Sequence, residues 1–227
     1  MSFFAHLKTA AASEWHDYTH HPFTDAMADG SLPQAAFRHY LVQDYLFLIE
    51  FARAYALAVY KSRELADMRD AAAGMSAILD VEMNLHVTLC ASWDLTPADL
   101  EQTRAAPETL AYTRYVLDTG MRGDLLALHV ALAPCVIGYA EIGTRLAAIE
   151  NKSGLANPYA VWIDEYAGPA YQEVASTARS RLERLHARYA TPARDAELIR
   201  IFAEATRLEA SFWDMGWRAY EVSSQGQ

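Results

Sequence analysis

Apolar residues recur at intervals of three and four along most of the chain, which is the period of amphipathic α-helices and not of strands. Prolines and glycines interrupt this pattern at long intervals, and several prolines follow a residue that can begin a helix. Helix starts of this kind are predicted at Thr96-Pro97, Ala106-Pro107, Asn157-Pro158, Gly168-Pro169 and Thr191-Pro192. With no convincing strand in the pattern, we expect an all-α protein of about eight or nine helices.

One long helix is predicted over residues 32–60. Ser31 and Gln34, with Pro33 between them, have the spacing of a capping box with proline in the first turn. Asp124 is predicted to cap a second long helix. No linker, low-complexity tract or internal repeat divides the sequence. We therefore expect a single-domain multi-helix bundle over residues 1–222, followed by a flexible C-terminal tail at 223–227.

The most apolar segment, residues 125–142, contains a proline at its centre. Pro134 removes a helical hydrogen bond and its ring clashes with the preceding turn, at a cost of about 3 kcal/mol. Such a cost indicates that the kink has a use, and the next residue is Cys135. Cys135 and Tyr139 share a helix face, and Gly138 leaves space beside the thiol, which indicates a pocket. The alternative, a cysteine that packs as a small hydrophobic residue, stays open.

Composition and charge exclude several classes of protein. Lys+Arg 19 against Asp+Glu 29 gives a net charge of −10, which repels phosphate backbones, so we expect no nucleic-acid partner. The apolar segment contains His129 and Glu141 and is too short for a clean membrane span, so we expect a core helix and no membrane. The N-terminus has no signal-like pattern and the sequence has two cysteines, so we expect a cytoplasmic protein. We interpret Cys90 as a packing residue.

Two acidic residues lie among aromatic residues on predicted helices. Asp44 shares a helix face with Tyr40 and Phe47, and an acceptor between rings suits a flat heterocycle that bears an amine. Glu209 precedes Phe212 and Trp213 by three and four residues, and desolvation against rings would raise its pKa into the range of general acids and bases. The alternatives are a structural hydrogen bond for Asp44 and an exposed position for Glu209.

Glu82 and His86 form an i,i+4 pair. Together with Glu50 and Glu141 on other helices, they resemble the set of glutamate and histidine ligands that binds iron in di-iron bundles. The Glu-x-x-His unit is not repeated, so a hydrogen bond between Glu82 and His86 is the simpler interpretation. A haem or di-iron oxygenase on the same bundle, and a non-catalytic ligand-binding bundle, are the alternative functions. We find no P-loop, dinucleotide turn, serine nucleophile elbow or CxxC motif.

Four short segments then occur in a recognisable order: Gln43-Asp44-Tyr45-Leu46-Phe47-Leu48, Pro134-Cys135-Val136-Ile137-Gly138-Tyr139, Trp162-Ile163-x-x-Tyr166 and Glu209-x-x-Phe212-Trp213. Together they resemble the TenA family, also called thiaminase II or aminopyrimidine aminohydrolase, and the resemblance covers nearly the whole chain. It implies a haem-oxygenase-like bundle that assembles as a homotetramer and needs no metal, haem or other cofactor. The substrate pocket of such a protein lies inside the bundle.

The resemblance also implies a role for individual residues. A cysteine matching Cys135 attacks the pyrimidine ring as the nucleophile, and a glutamate matching Glu209 handles the proton on a ring nitrogen. Asp44 matches the aspartate that holds the pyrimidine amino group. Phe47 stands where many members have tyrosine, so ring stacking is kept while the hydrogen bond of that hydroxyl is missing. Three tyrosines match other substrate-contacting positions: Tyr112, Tyr139 and Tyr166.

The activity implied by the resemblance is hydrolysis of 4-amino-5-aminomethyl-2-methylpyrimidine to 4-amino-5-hydroxymethyl-2-methylpyrimidine, with release of ammonia, in thiamine salvage. Cleavage of thiamine is the related, often slower, activity. This chemistry agrees with the residues themselves. A thiol nucleophile needs a base or a lowered pKa, and a ring nitrogen needs an acid whose pKa is raised. Cys135 and Glu209 supply that pair if the fold brings their helices together.

Overall fold

The computed structural model describes residues 1–153 and 156–224, and these ranges contain no strand. The α-helices are α1 (Phe3–Ala10), α2 (Ala12–Thr19), α3 (Pro22–Ala28), α4 (Gln34–Lys61), α5 (Leu65–Ala77), α6 (Met83–Ala91), α7 (Pro97–Gln102), α8 (Pro107–Arg122), α9 (Leu125–Ser153), α10 (Ala160–Ala167), α11 (Pro169–Tyr189) and α12 (Asp195–Ser224). A π-helical turn, Ile78–Glu82, joins α5 to α6, and a 3₁₀ turn, Pro192–Arg194, precedes α12. The predicted all-α class is confirmed.

The described part of the chain has more helices than predicted. Breaks at Ala11 and His20 divide the first segment into the three short helices α1, α2 and α3. Each break leaves the three-to-four spacing of the apolar residues almost unchanged, because the next helix resumes within one or two residues. Hydrophobic periodicity therefore predicts the helical content of this segment but not its divisions.

Several predicted helix starts are confirmed. In α7 the Thr96 hydroxyl accepts a hydrogen bond from the Asp99 N–H at 3.3 Å, and the Asp99 carboxylate accepts one from the Thr96 N–H at 2.9 Å. Helices α8 and α11 begin at Pro107 and Pro169. A backbone N–H at the first helical position has no acceptor within the helix, so proline removes no hydrogen bond there. The Asp124 carboxylate accepts from the N–H of the third residue of α9 at 3.0 Å, as predicted for its cap.

Two other predicted starts are wrong in detail. The Ser31 side chain does not cap α4, whose N-cap residue is Pro33, and the Ser31 N–H instead donates to the Asp29 carboxylate at 2.9 Å. The capping box is therefore absent from the start of this helix. Pro158 lies in a turn, and α10 begins two residues later at Ala160. The turn is closed by the side chain of the residue before the proline, which accepts a backbone N–H at 2.8 Å.

Helix α9 lies at the centre of the bundle and packs against α8, α10, α11 and α12. Its segment Leu125–Ile149 is long and apolar enough to cross a membrane by length and composition alone, but 94% of its most apolar 18-residue window is buried inside the fold. Packing against other helices thus accounts for the apolar side chains, as predicted for a core helix. The helix continues through Pro134.

The buried side chains form one contiguous cluster with members from α1 to α12. This continuity supports the proposal of a single domain over residues 1–222. Helix α12 extends to Ser224, and residues 225–227 of the tail predicted at 223–227 lie outside the described residues.

The space beside Gly138 is not the pocket that the sequence predicted. A Cβ atom at this position would lie 2.2 Å from Cε1 of Tyr18, which is fully buried between α2 and α9. The Tyr18 hydroxyl donates a hydrogen bond to the Pro134 carbonyl at 3.3 Å. The space beside Gly138 is therefore filled by an aromatic ring of the core and is not open to a ligand.

Replacing Gly138 by alanine is expected to destabilise the protein by about 1–3 kcal/mol, because the Tyr18 ring is held in the core next to the Trp213 ring, 6.3 Å away. Denaturant unfolding measures the change. Gly120→Ala is the matched control, since the added Cβ would meet only the ends of two leucine side chains, at 2.8 Å, and the gain in helix propensity offsets that contact. Equal stabilities of the two variants would contradict this account of Gly138.

Candidate active site

The fold brings Cys135, Glu209 and Asp44 together inside the bundle. Cys135 lies on α9 directly after the internal proline, Glu209 on α12 and Asp44 on α4. Their exposed fractions are 5%, 2% and 3%, so all three side chains are removed from solvent. The predicted alternative of an exposed Glu209 is therefore wrong.

Glu209 is held by a tyrosine and faces the thiol. The Tyr112 hydroxyl donates a hydrogen bond to Glu209 Oε1 at 2.8 Å. Burial raises the pKa of the Glu209 carboxyl to about 8, and the hydrogen bond from Tyr112 and the nearby Cys135 thiol only partly oppose this effect. Glu209 therefore keeps its proton at neutral pH and has the character of a general acid.

Burial also raises the pKa of the Cys135 thiol, well above its usual range, and the adjacent Glu209 carboxyl raises it further. The thiol is therefore protonated at neutral pH. Of the two routes to a sulfur nucleophile, a lowered pKa and an adjacent base, the structure favours the adjacent base.

Asp44 is anchored by two groups at one carboxylate oxygen. Asp44 Oδ2 accepts a hydrogen bond from the Tyr40 hydroxyl at 2.9 Å and lies 2.7 Å from Nε2 of His86. Nδ1 of His86 lies 2.9 Å from the Glu82 carbonyl oxygen. A carbonyl and a carboxylate both accept, so both ring nitrogens are placed to donate. Burial lowers the pKa of His86, but its hydrogen bond to Asp44 and the charge of Asp44 outweigh burial and raise it.

These contacts correct the interpretation of the Glu82–His86 pair. The imidazole binds the backbone of Glu82 rather than its side chain, and the Glu82 carboxylate instead accepts a hydrogen bond from the Tyr166 hydroxyl at 2.9 Å. Glu50 and Glu141 form ion pairs with basic residues elsewhere. In the part of the chain that the structure describes, no three His, Cys, Asp or Glu side chains are placed to hold a metal ion. The donor set therefore gives no support to the di-iron alternative.

The aromatic residues predicted for the site surround these acids. The Phe47 ring stacks on the Tyr112 ring with centroids 4.9 Å apart, and so supports the tyrosine that holds Glu209. The Tyr139 and Tyr40 hydroxyls are 3.3 Å apart, which connects Tyr139 to the Asp44 network. Phe47, Tyr112, Tyr139 and Tyr166 are all buried.

A cavity of about 170 Å³ lies beside Cys135, between α4, α5, the π-helical turn, α9, α10 and α11. Its walls include Cys135, Tyr166 and Glu82. Asp44 and Glu209 do not line it and lie in the packed interior. The structure thus places two of the predicted site residues at the cavity and the other five in the buried network around the thiol.

Sequence reasoning missed several residues of this site. His86 binds Asp44 across helices, and Trp162 Nε1 donates to the Tyr40 hydroxyl at 3.3 Å. Tyr55 and Tyr171 line the cavity. The spacing of Glu82 and His86 did signal a polar site, but nothing in a single sequence shows which acid on another helix the imidazole meets.

The buried Glu209 makes stability depend on pH. Its pKa is about 8 in the folded protein against 4.5 for an exposed glutamate, so between these values the unfolded chain has released a proton that the folded protein keeps. The group therefore lowers the free energy of unfolding by up to about 1.4 kcal/mol per pH unit as pH rises through this window. Glu209→Gln is expected to remove this slope, as measured by denaturant unfolding at pH 5 and pH 8. Identical pH dependence of both proteins would rule the effect out.

Comparison with known proteins gives a consistent result. The TENA/THI-4/PQQC family matches residues 9–219. A protein from Halalkalibacterium halodurans named aminopyrimidine aminohydrolase is 37% identical over 218 residues, which cover 96% of each chain.

Two solved structures show the same architecture. The crystal structure of a TenA family transcription regulator from Silicibacter sp. TM1040 is 42% identical, with a TM-score of 0.89 over 94% of this chain and 95% of that chain. A domain from Shewanella denitrificans with a haem-oxygenase-like fold matches with a TM-score of 0.76 over 100% of this chain and 97% of that one, and at 13% identity shows the fold alone. The predicted haem-oxygenase-like fold is confirmed, and the chain belongs to the TENA/THI-4/PQQC family.

Proposed function

We propose that this protein is an aminopyrimidine aminohydrolase of the thiaminase II type, a hydrolase that acts on a C–N bond in thiamine metabolism. Its substrate is 4-amino-5-aminomethyl-2-methylpyrimidine, which it converts to the hydroxymethyl pyrimidine and ammonia, and thiamine is a second substrate. The observation that carries the proposal is the burial of the Cys135 thiol near the protonated Glu209 carboxyl, which the Tyr112 hydroxyl holds at 2.8 Å, beside a cavity in the bundle. The name of the Halalkalibacterium halodurans relative, which matches along nearly its whole length, supports it.

In this proposal Glu209 acts first as a general acid. With a pKa of about 8, its carboxyl holds a proton at neutral pH and gives it to a nitrogen of the pyrimidine ring, which makes the ring electrophilic. The resulting carboxylate faces Cys135 and accepts the thiol proton. The sulfur then attacks a ring carbon with its electron pair. One glutamate thereby passes the thiol proton to the ring.

The remaining steps restore the aromatic ring. The exocyclic C–N bond of the protonated aminomethyl group breaks, and the nitrogen leaves as ammonia with the electron pair of that bond. Water adds to the exocyclic carbon and gives a proton to the released ammonia. The sulfur then departs with its pair, while the ring nitrogen returns its proton to the thiolate through Glu209.

The other site residues bind and position the substrate. Asp44 Oδ2 is occupied by Tyr40 and His86, so Oδ1 is the oxygen that binds the pyrimidine amino group. Because Asp44 does not line the cavity, the substrate must displace side chains of the cavity wall to reach it. Phe47 supports Tyr112 by stacking, and Tyr139 and Tyr166 contact the substrate.

Assembly and location complete the proposal. We propose a cytoplasmic homotetramer that uses neither metal nor haem, as the resemblance to the TenA family implies. Large apolar side chains that are exposed on the single chain, such as Tyr60 on α4 and Val161 on α10, support an assembly that covers them. Sedimentation of the purified protein measures the oligomeric state.

The description of the Silicibacter sp. TM1040 relative as a transcription regulator does not lead us to propose that function for this chain. A net charge of −10 opposes contact with a phosphate backbone.

Incubation of the purified protein with the aminomethyl pyrimidine and with thiamine, followed by chromatography and ammonia determination, tests the proposed function. We expect the hydroxymethyl pyrimidine from both substrates, faster from the aminomethyl pyrimidine. Binding of either pyrimidine without any product would favour the non-catalytic ligand-binding bundle. Absence of both binding and turnover would refute the proposal.

A further inference from the structure

A third acid, Glu82, lies in the wall of the cavity that opens beside Cys135. It is the last residue of the π-helical turn Ile78–Glu82, and π-helical turns occur frequently at functional sites. The Tyr166 hydroxyl donates to Glu82 Oε1 at 2.9 Å and fixes the carboxylate at the cavity. Glu82 has no role in the mechanism proposed above.

The rest of the cavity offers Glu82 little to bind. Its walls are mostly aromatic and aliphatic and include Phe51, Ile78 and Val136. Burial in these surroundings raises the pKa of Glu82 to about 7, although the charge of His86 opposes the rise. A carboxylate under such a desolvation cost favours a cationic ligand that can donate hydrogen bonds to it.

We propose that Glu82 binds the protonated aminomethyl group of the substrate, the nitrogen that leaves as ammonia, and so determines specificity for substrates with a primary ammonium leaving group. This inference rests on the proposed function. Cys135 and Glu82 line the same cavity, so a pyrimidine whose ring carbon is bonded to the sulfur has its exocyclic aminomethyl group close to that cavity. A primary ammonium has three N–H donors for a carboxylate, whereas the thiazolium nitrogen of thiamine has none.

Glu165 of α10 is the other acid that lines the cavity. Its charge contributes to the raised pKa of Glu82, and both residues line the same cavity. We assign the ammonium to Glu82 because Tyr166 fixes the orientation of that carboxylate.

Kinetics of Glu82→Gln test the assignment. We expect the KM for the aminomethyl pyrimidine to rise by about tenfold or more, a loss of about 1.4 kcal/mol, and the KM for thiamine to rise less. Asp80→Asn is the matched control, because it removes the same charge from the same π-helical turn at an exposed position outside the cavity. It should leave both KM values unchanged. Glu82→Asp, which keeps the charge on a shorter side chain, should give an intermediate KM. If Glu82→Gln does not fold, the KM of Glu82→Asp tests whether Glu82 binds the ammonium group.

Calorimetric binding of the hydroxymethyl product separates this inference from the proposed function. The product keeps the ring amino group but has lost the aminomethyl nitrogen, so the wild-type protein and Glu82→Gln should bind it equally. Unchanged KM values in the Glu82 variants, with product binding intact, would overturn the role of Glu82 and leave the proposed function standing. A KM increase in Glu165→Gln instead of Glu82→Gln would overturn it as well. A wild-type protein that neither binds the product nor converts the amine would overturn both.

Discussion

Replacing Cys135 by alanine is expected to lower kcat for hydrolysis of the aminomethyl pyrimidine by at least about a thousandfold, because no other group can form the bond to the ring. The thiol lies beside the cavity, and in the proposed mechanism the adjacent Glu209 is the base that removes its proton. The change removes one buried sulfur atom, so the fold should persist. Circular dichroism and denaturant unfolding check the fold, and product chromatography measures the rate.

Cys90→Ala is the matched control for this variant. Cys90 is also a free, buried thiol, and burial raises its pKa to about 11. It does not line the cavity beside Cys135. We expect Cys90→Ala to lose stability but to keep the wild-type kcat. Undiminished turnover in Cys135→Ala would disprove the nucleophilic role of Cys135.

Glu209→Gln has the second large expected effect, a fall in kcat of about 10²–10⁴-fold, which is the usual contribution of a general acid or base. Glutamine keeps the shape of the side chain and can still accept the hydrogen bond of Tyr112, but it carries no proton to pass between the thiol and the ring. The control is Glu204→Gln on the same helix, an acid paired with Arg207 at the surface. That variant should turn over at the wild-type rate.

The pH profile gives Glu209 a signature that a purely structural role would lack. The acid must be protonated in the free enzyme, so kcat/KM should fall as pH rises above about 8, where the Glu209 carboxyl ionises. Residual activity of Glu209→Gln should lack this alkaline limb. A limb that persists at the same pH in the variant would assign it to another group and remove the general-acid role from Glu209.

The helical architecture was largely predictable, because three-to-four periodicity and proline-marked helix starts are local signals. The starts of α7, α8 and α11 follow from residues within one turn of each other. The short helices α1–α3 did not follow from periodicity, because their boundaries leave the apolar spacing almost unchanged, and the π-helical turn was not predicted either. The predicted Ser31 cap is wrong because α4 begins at Gln34 with Pro33 as its N-cap residue, and the Ser31 N–H donates to the Asp29 carboxylate.

The candidate site was predictable in some of its members but not in its contacts. Aromatic neighbours at helical spacing indicated that Asp44 and Glu209 are buried, and the structure places both in the interior. The partners of these acids, His86 and Tyr112, lie far away in sequence and come close only through helix packing. Gly138 shows the same limit, since its missing side chain admits a ring from another helix.

The position and charge of Glu82 also depend on tertiary structure. In the sequence, its spacing from His86 suggested a metal ligand or a hydrogen bond between the two side chains. The packing of α10 against α9 brings the Tyr166 hydroxyl to the carboxylate, and the surrounding apolar walls raise its pKa. A single sequence contains neither effect.

One series of steady-state assays tests the central claim most directly. The aminomethyl pyrimidine is supplied to the wild-type protein, Cys135→Ala and Glu209→Gln, and ammonia and the hydroxymethyl pyrimidine are quantified together. We predict equimolar release of both products by the wild-type protein and losses of at least about a hundredfold in each folded variant. No turnover by the wild-type protein, or full turnover by either variant, would contradict the assignment of this chemistry to the Cys135–Glu209 site.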